Sequence, residues 1–285
     1  MKRAVALVLA AGTSVQFGAA FAVHLFERLG PAGTVLLRLT FAAVILVALL
    51  RPVIRGRSRA DLGLAVALGL TLGFMNWTFY EALDRMPIGP TVTIEMAGPL
   101  GVAVWGSRRP LDFVWIFLAV VGVLVLVDPF GSGGLDPVGV LLALTAGGCW
   151  ATYILLTART GRVWPGATGL AVGMGFGAMV AAPAGIVQGG ADLLQPELLA
   201  GGLAVALLSS VIPYSLEMEA LRTLPEQVFG VMMSLEPAIA ALAGLILLGQ
   251  DLSAPQWLAI GLVGTGSAGA ALGHHRTTRH EPVLA

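Results

Sequence analysis

Charge is scarce in this chain of 285 residues: Asp, Glu, Lys and Arg make up 11%, while 57% is hydrophobic. Ordinary soluble domains carry roughly 25% charged residues. A polypeptide this poor in polar side chains cannot coat a water-facing surface, which excludes an ordinary soluble globule. Lysine occurs once, at Lys2, and the other fifteen basic residues are arginines. With no internal lysine there is no Walker A loop, so the chain is not itself an ATPase. No basic stripe exists for nucleic acid. The single Cys149 excludes an internal disulfide framework. Neither an H-E-x-x-H zinc motif nor a G-x-S-x-G nucleophile elbow is present. Gly131-Ser-Gly-Gly134 stands in no strand–helix context and makes no nucleotide site. His274, His275 and His280 read as a solvated tail rather than a metal centre. No cofactor, metal or enzyme activity is expected.

Long apolar runs, by contrast, are plentiful. A bilayer core takes about 20 apolar residues per helix. Runs of that kind lie at 4–26, 32–51, 62–83, 88–106, 113–128, 138–157, 167–188, 198–220, 227–248 and 255–273. The expected fold class is therefore an all-α integral membrane protein of ten transmembrane helices. Lys2-Arg3 and the following apolar run up to Gly18-Ala-Ala-Phe-Ala22 resemble a cleavable signal peptide. The internal repeat described below needs this segment as a first helix, and it is kept as one. The linkers are too short for a separate soluble domain. Among the small residues, Gly69-x3-Gly73 and Gly169-x3-Gly173-x3-Gly177 form stripes on which helices pack closely.

The basic residues test the count of spans. Linkers on the side of the N-terminus hold Lys2, Arg3, Arg51, Arg55, Arg57, Arg59, Arg108, Arg109, Arg159, Arg162, Arg222, Arg276 and Arg279; the other side holds Arg28 and Arg85. That asymmetry predicts cytoplasmic termini at both ends. The two halves also resemble each other. Glu81-Ala-Leu-Asp-Arg-Met-Pro87 matches Glu219-Ala-Leu-Arg-Thr-Leu-Pro225 at an offset of 138, and Pro99 matches Pro237 at the same offset. Trp115 and Gly122 pair with Trp257 and Gly264 after a four-residue slip, and Ala11-Gly12 aligns less securely with Ala146-Gly147. Two copies of five helices must enter the bilayer from opposite sides, which makes the repeats inverted. The expected organisation is a first repeat at 1–128, a second at 136–274 and a cytoplasmic tail at 275–285.

Polar groups within lipid are expensive and default to functional candidates. Arg38 lies in the second span, Glu95 in the fourth and Glu236 in the ninth. Two readings of Arg38 and Glu95 stand open: a structural ion pair locking two helices, or handling of substrate and protons. Pro99 and Pro237 should kink matched helices. Gln16, Asn76, Trp77, Tyr80, Trp150, Tyr153 and Tyr214 are candidates to line a polar cavity. Tyr80 and Tyr153 lie toward span ends, where an interfacial aromatic belt is the competing reading. Glu81, Asp84, Glu217 and Glu219 lie near span ends and read as ordinary rim residues.

Three stretches carry a family resemblance: Ser107-Arg-Arg-Pro-Leu-Asp-Phe-Val-Trp115, Pro213-Tyr-Ser-Leu-Glu-Met218 and Met233-Ser-Leu-Glu-Pro-Ala238. With Glu95-Met-Ala-Gly-Pro-Leu100 and Gly147-Gly-Cys-Trp-Ala-Thr-Tyr-Ile154, they resemble the threonine/homoserine exporter group in the EamA branch of the drug/metabolite transporter superfamily. The similarity runs over essentially the whole chain. It implies a ten-helix carrier of the bacterial inner membrane that exports small amino acids, with proton antiport as the usual supposition. On that reading the substrate and the coupling proton are the partners, besides membrane lipid. The alternatives are a multidrug or other metabolite carrier on the same fold, and a non-transporting membrane scaffold or intramembrane enzyme.

Overall fold

Each apolar run needs its backbone hydrogen bonds satisfied internally, and helices do this segment by segment. The computed structural model describes residues 2–86, 88–107, 110–127, 136–236, 238–239 and 254–278, and among them there is no strand. Helix α1 (Lys2–Leu50) has two arms divided at Gly30, whose φ of 67° and ψ of 171° leave helical geometry. A side chain there would sit in a left-handed region and meet Gln188 Oε1 2.6 Å from its Cβ. That same oxygen accepts a hydrogen bond from Ala32 N at 2.8 Å and so caps the second arm. Next come α2 (Arg59–Arg85), started by Ser58 Oγ accepting from Asp61 N, then α3 (Ile88–Glu95), α4 (Ala97–Gly106) and α5 (Pro110–Val127).

The rest of the chain is α6 (Pro137–Val163), capped by Asp136, α7 (Thr168–Gly189), α8 (Pro196–Ala206), α9 (Ile212–Ala220), α10 (Glu226–Met233) and α11 (Ala254–Thr278). A short 3₁₀ turn (Gly190–Leu194) joins α7 toward α8, and a π turn (Leu207–Val211) joins α8 to α9. Five stretches are long and apolar enough to cross a membrane: His24–Leu50, which contains the Gly30 bend, Arg59–Arg85, Pro137–Val163, Thr168–Leu194 and Pro196–Ala220. Arg3–Ala19, Ala97–Gly106, Pro110–Gly122 and Trp257–Gly266 are shorter apolar helices.

Several expected spans differ in detail. The run at 88–106 is two helices, interrupted at Met96. Met96 N still donates to Val92 O at 3.0 Å and Leu100 N to Met96 O at 3.2 Å. The missing bond between them is the one Pro99 cannot donate to the carbonyl of Glu95. The run at 198–220 carries the π turn rather than one regular helix. Pro237 and 240–248 lie outside the described residues, so the expected kink at Pro237 does too. α10 nevertheless ends at Met233 with Ser234 in a turn, and Ser234 stands at the repeat offset from Met96. α11 continues to Thr278, so the start of the expected tail at 275 is helical.

Helix α1 packs on α7, α8 and α9; α2 packs on α6 and α7; α4 on α10; α5 on α11. The two glycine stripes meet each other. A Cβ on Gly69 would stand 1.9 Å from the carbonyl oxygen of Gly173, and one on Gly73 would stand 2.7 Å from that of Gly177. Gly98 approaches Gly147 of α6 equally closely, which seats the α3–α4 break against α6. Outside the bundle, Trp105 is 88% exposed, as suits a surface that faces lipid rather than water.

Polar contacts gather the linkers into two groups. At one end Arg57 lies 4.5 Å from the Trp164 ring centroid, Trp164 Nε1 donates to Asp61 O, and Arg222 Nη2 donates to Trp164 O. At the other end Gln188 Nε2 donates to Glu81, while Arg28 bonds Gln195 and Glu197 and pairs with Asp192 at 3.5 Å. Being exposed, the Arg28 ion pairs stabilise little; their value is to show which linkers share an end.

The backbone contact between α2 and α7 leaves no room for a methyl group. Gly69→Ala and Gly173→Ala should each lose about 1–3 kcal/mol through overpacking, seen as a lower thermal midpoint of the purified protein in detergent. Gly175→Ala, in the same helix with nothing within 4 Å of its Cβ, should keep or raise the midpoint. Equal effects at Gly173 and Gly175 would contradict this packing.

Candidate functional site

The second arm of α1 carries Arg38 into the interior, where it is 5% exposed. A buried guanidinium needs acceptors for its five N–H groups. Its Nε donates to Ser210 Oγ at 2.7 Å and its Nη1 to Tyr80 Oη at 2.9 Å. Its Nη2 donates to the carbonyl of Ser209 and to Tyr214 Oη at 3.1 Å. Four donors are thus taken by neutral groups. Arg38 makes no ion pair with any carboxylate among the described residues. This corrects the structural ion pair with Glu95: hydroxyls and a carbonyl, not a carboxylate, hold the cation.

The acceptors come from a defect in the helix. In the π turn Ile212 N bonds the carbonyl of Leu207, five residues back. Pro213 has no N–H, so the carbonyl of Ser209 loses its α-helical donor and that of Leu208 its π-helical one. Side chains of α1 fill both vacancies. Arg38 takes Ser209 O, and Ser14 Oγ donates to Leu208 O at 2.6 Å. Gly18 leaves the space in which the turn sits, since a Cβ there would stand 1.9 Å from Ser209 Oγ.

Around Arg38 lies a cavity of about 100 Å³. Gln16, Arg38, Asn76, Tyr80, Glu95, Trp150, Tyr214, Glu217 and Glu236 line it, with Phe26, Met75 and Phe79 among its apolar walls. Eight of the ten predicted cavity residues therefore converge on one space. Tyr153 stands behind it: its hydroxyl donates to Glu217 Oε2 at 2.7 Å and its ring lies 5.5 Å from that of Tyr214. Tyr80 is 3% exposed and Tyr153 fully buried, so neither belongs to an interfacial belt. Trp77 is not part of the lining; its Nε1 donates to Glu81 at 3.2 Å. Pro99 acts from beneath, through the helix break beside Glu95.

Asn76 is fixed by donating to Leu72 O at 2.8 Å, and its amide exchanges hydrogen bonds with Tyr214 Oη at 3.1 and 3.2 Å. Glu95 and Glu236 are each 6% exposed and face the cavity, and among the described residues no hydrogen bond ends on either carboxylate. Three carboxyl groups therefore share the cavity with one guanidinium. They are dispersed: no group of three or more His, Cys, Asp or Glu among the described residues could hold a metal ion.

Glu217 is the residue that reading from sequence placed wrongly, at the rim. It is 2% exposed. Its spacing of three from Tyr214, which puts both on one helical face, was the available signal. Ser14, Ser209 and Ser210 gave none beyond their nearness to Pro213.

Comparison with known proteins fits this architecture. The chain is 43% identical over 281 residues to the threonine/homoserine exporter RhtA of Salmonella typhimurium, spanning 98% of this chain and 93% of that protein. It belongs to the EamA-like transporter family. The model of that family matches residues 137–272. RhtA of Escherichia coli K12 is 42% identical over 271 residues, 94% of this chain and 91% of that protein. An uncharacterized Bacillus subtilis transporter, YwfM, is 27% identical over 66% of each chain. A solved crystal structure superposes with a TM-score of 0.76 at 19% identity, covering 94% of this chain and 98% of that one, a likeness of fold alone. As a family member with these apolar helices, the chain is a multi-pass inner-membrane transporter and not an enzyme.

Arg38→Lys keeps the charge and loses the planar fork of donors. A compact ammonium cannot reach acceptors on three helices at once, so stability should fall by about 2–4 kcal/mol, measured as a lower thermal midpoint. An unchanged midpoint would mean that these hydrogen bonds do not hold the site together.

Proposed function

We propose that this EamA-family transporter exports small amino acids of the threonine and homoserine kind by alternating access, coupled to proton antiport. The observation that carries the reading is the single cavity in which Arg38 faces Glu95 and Glu236, between elements of both halves of the chain. A zwitterion has one charge for each side. Relatives spanning nearly the whole chain at 42–43% identity are threonine/homoserine exporters, which supports the same substrate class. Glu95 and Glu236 attract an ammonium group or exchange protons, and Arg38 supplies the positive end of the field. Gln16, Asn76, Tyr80, Trp150 and Tyr214 shape the pocket, and Tyr153 positions Glu217. Pockets for drug-sized ligands occupy about 300–1,000 Å³, so a cavity of about 100 Å³ favours a small solute over a lipophilic drug.

The same proposal takes the chain as ten spans in two inverted repeats, 1–128 and 136–274, with a tail at 275–285 and both termini cytoplasmic. Support comes from the turns at Met96 and Ser234 at the repeat offset, and from the family model matching only the second half. The packing scheme supports it too. Second span on seventh, fourth on ninth and fifth on tenth are pairs that a two-fold axis maps onto themselves. Lipid surrounds the bundle, and the proton is the coupling ion.

Glu95→Gln tests the mechanism. In proteoliposomes the variant should assemble normally and lose at least about 90% of threonine flux driven by a pH gradient. Full flux in Glu95→Gln would make Glu95 structural and remove the mechanism.

A further inference from the structure

The chain contains three tyrosines, Tyr80, Tyr153 and Tyr214, and all three meet at this one site. Their hydroxyls differ in what they do with their protons. Tyr153 donates a hydrogen bond to Glu217, and Tyr214 exchanges hydrogen bonds with the Asn76 amide. Tyr80 only accepts, from Arg38 Nη1 at 2.9 Å, and among the described residues its own O–H has no acceptor. Its ring is held by Phe26, 4.9 Å between centroids, so the hydroxyl is aimed rather than free to wander. Arg38 has a complementary remainder. Nε, one N–H of Nη1 and both of Nη2 are committed, which leaves a single N–H, on Nη1, the nitrogen that touches Tyr80.

We propose that the Tyr80 hydroxyl and the one spare N–H of Arg38 together form the seat for the carboxylate of the substrate, so that Tyr80 is a specificity-determining residue. The inference rests on the amino-acid export proposed above and assigns its anionic subsite. Two donors 2.9 Å apart at the edge of the cavity let the two oxygens of one carboxylate engage both. The guanidinium does not grip the substrate with its fork, because Ser209, Ser210 and Tyr214 already occupy it. It polarises the Tyr80 oxygen instead, which makes the phenolic O–H a stronger donor toward an anion. The ammonium group then lies toward Glu95 and Glu236, which have no donors among the described residues. A ligand without a carboxylate leaves two buried donors unpaired, the situation in which a site rejects an analogue most strongly.

The purified full-length protein in proteoliposomes tests this with labelled L-threonine and unlabelled L-threoninamide, which keeps the amine and the hydroxyl and lacks the carboxylate. In the unmodified protein threoninamide should compete at least about tenfold more weakly than threonine. Tyr80→Phe should raise the KM for threonine by about tenfold, leave the maximal rate within about twofold and leave competition by threoninamide unchanged, so that the preference collapses. A Tyr80→Phe protein with unaltered KM, or with both ligands weakened alike, overturns the seat. Equal competition by the two ligands in the unmodified protein overturns it without any variant. If the unmodified protein moves no amino acid at all, the export reading falls and this subsite with it.

Discussion

Arg38 is a cation buried among helices that forms no ion pair among the described residues. Desolvating a guanidinium is expensive, and only well-placed acceptors offset it. Here the acceptors are Tyr80 of α2, Ser209 and Ser210 of the π turn, and Tyr214 of α9. One side chain on α1 therefore fixes the relative positions of helices from both halves of the molecule. The cavity exists in the form described because that cluster props one wall of it. Removing the cluster leaves either a buried charge without partners or a collapsed space.

Much of this was legible in sequence, for reasons that can be named. Arg38, Glu95 and Glu236 stood out because charge is rare in an apolar run, and rarity in lipid implies purpose. Gly69, Gly73, Gly173 and Gly177 announced close packing, and they pack on one another. What pattern could not give was partnership. An Arg and a Glu in facing helices invite pairing on charge alone, yet Arg38 bonds neutral oxygens. The acceptor at Ser209 exists only because Pro213 withholds an N–H four residues on, and that consequence emerges when α1 is placed beside the turn. Glu217 was hidden by its distance along the chain from the apolar centre of its span. A position near a span end by residue count can still point inward when Tyr153 and Tyr214 share its face.

The remaining charge sets the chemistry. Glu95, Glu217 and Glu236 outnumber the single guanidinium, and among the described residues only Glu217 has a donor, from Tyr153. Two acidic groups without donors among the described residues, in a small enclosed space, call for protons or a cationic group from outside. That imbalance is what the proposed coupling to protons rests on. In the proposed mechanism the site closes on an ammonium at one stage and on protons at another, which gives it a reason to alternate. The break at Met96, beside Glu95, places one of these carboxyls where the helix is least rigid.

The most direct test of the account is a double-mutant cycle between the cation and its acceptor in the π turn. Stability of the unmodified protein, Arg38→Met, Ser210→Ala and the double variant is measured in the same detergent. Coupling of about 1–3 kcal/mol between the two positions is the result this structure predicts. Losses that add within about 0.5 kcal/mol would mean that Arg38 does not hold the halves together, and the cavity would need another explanation.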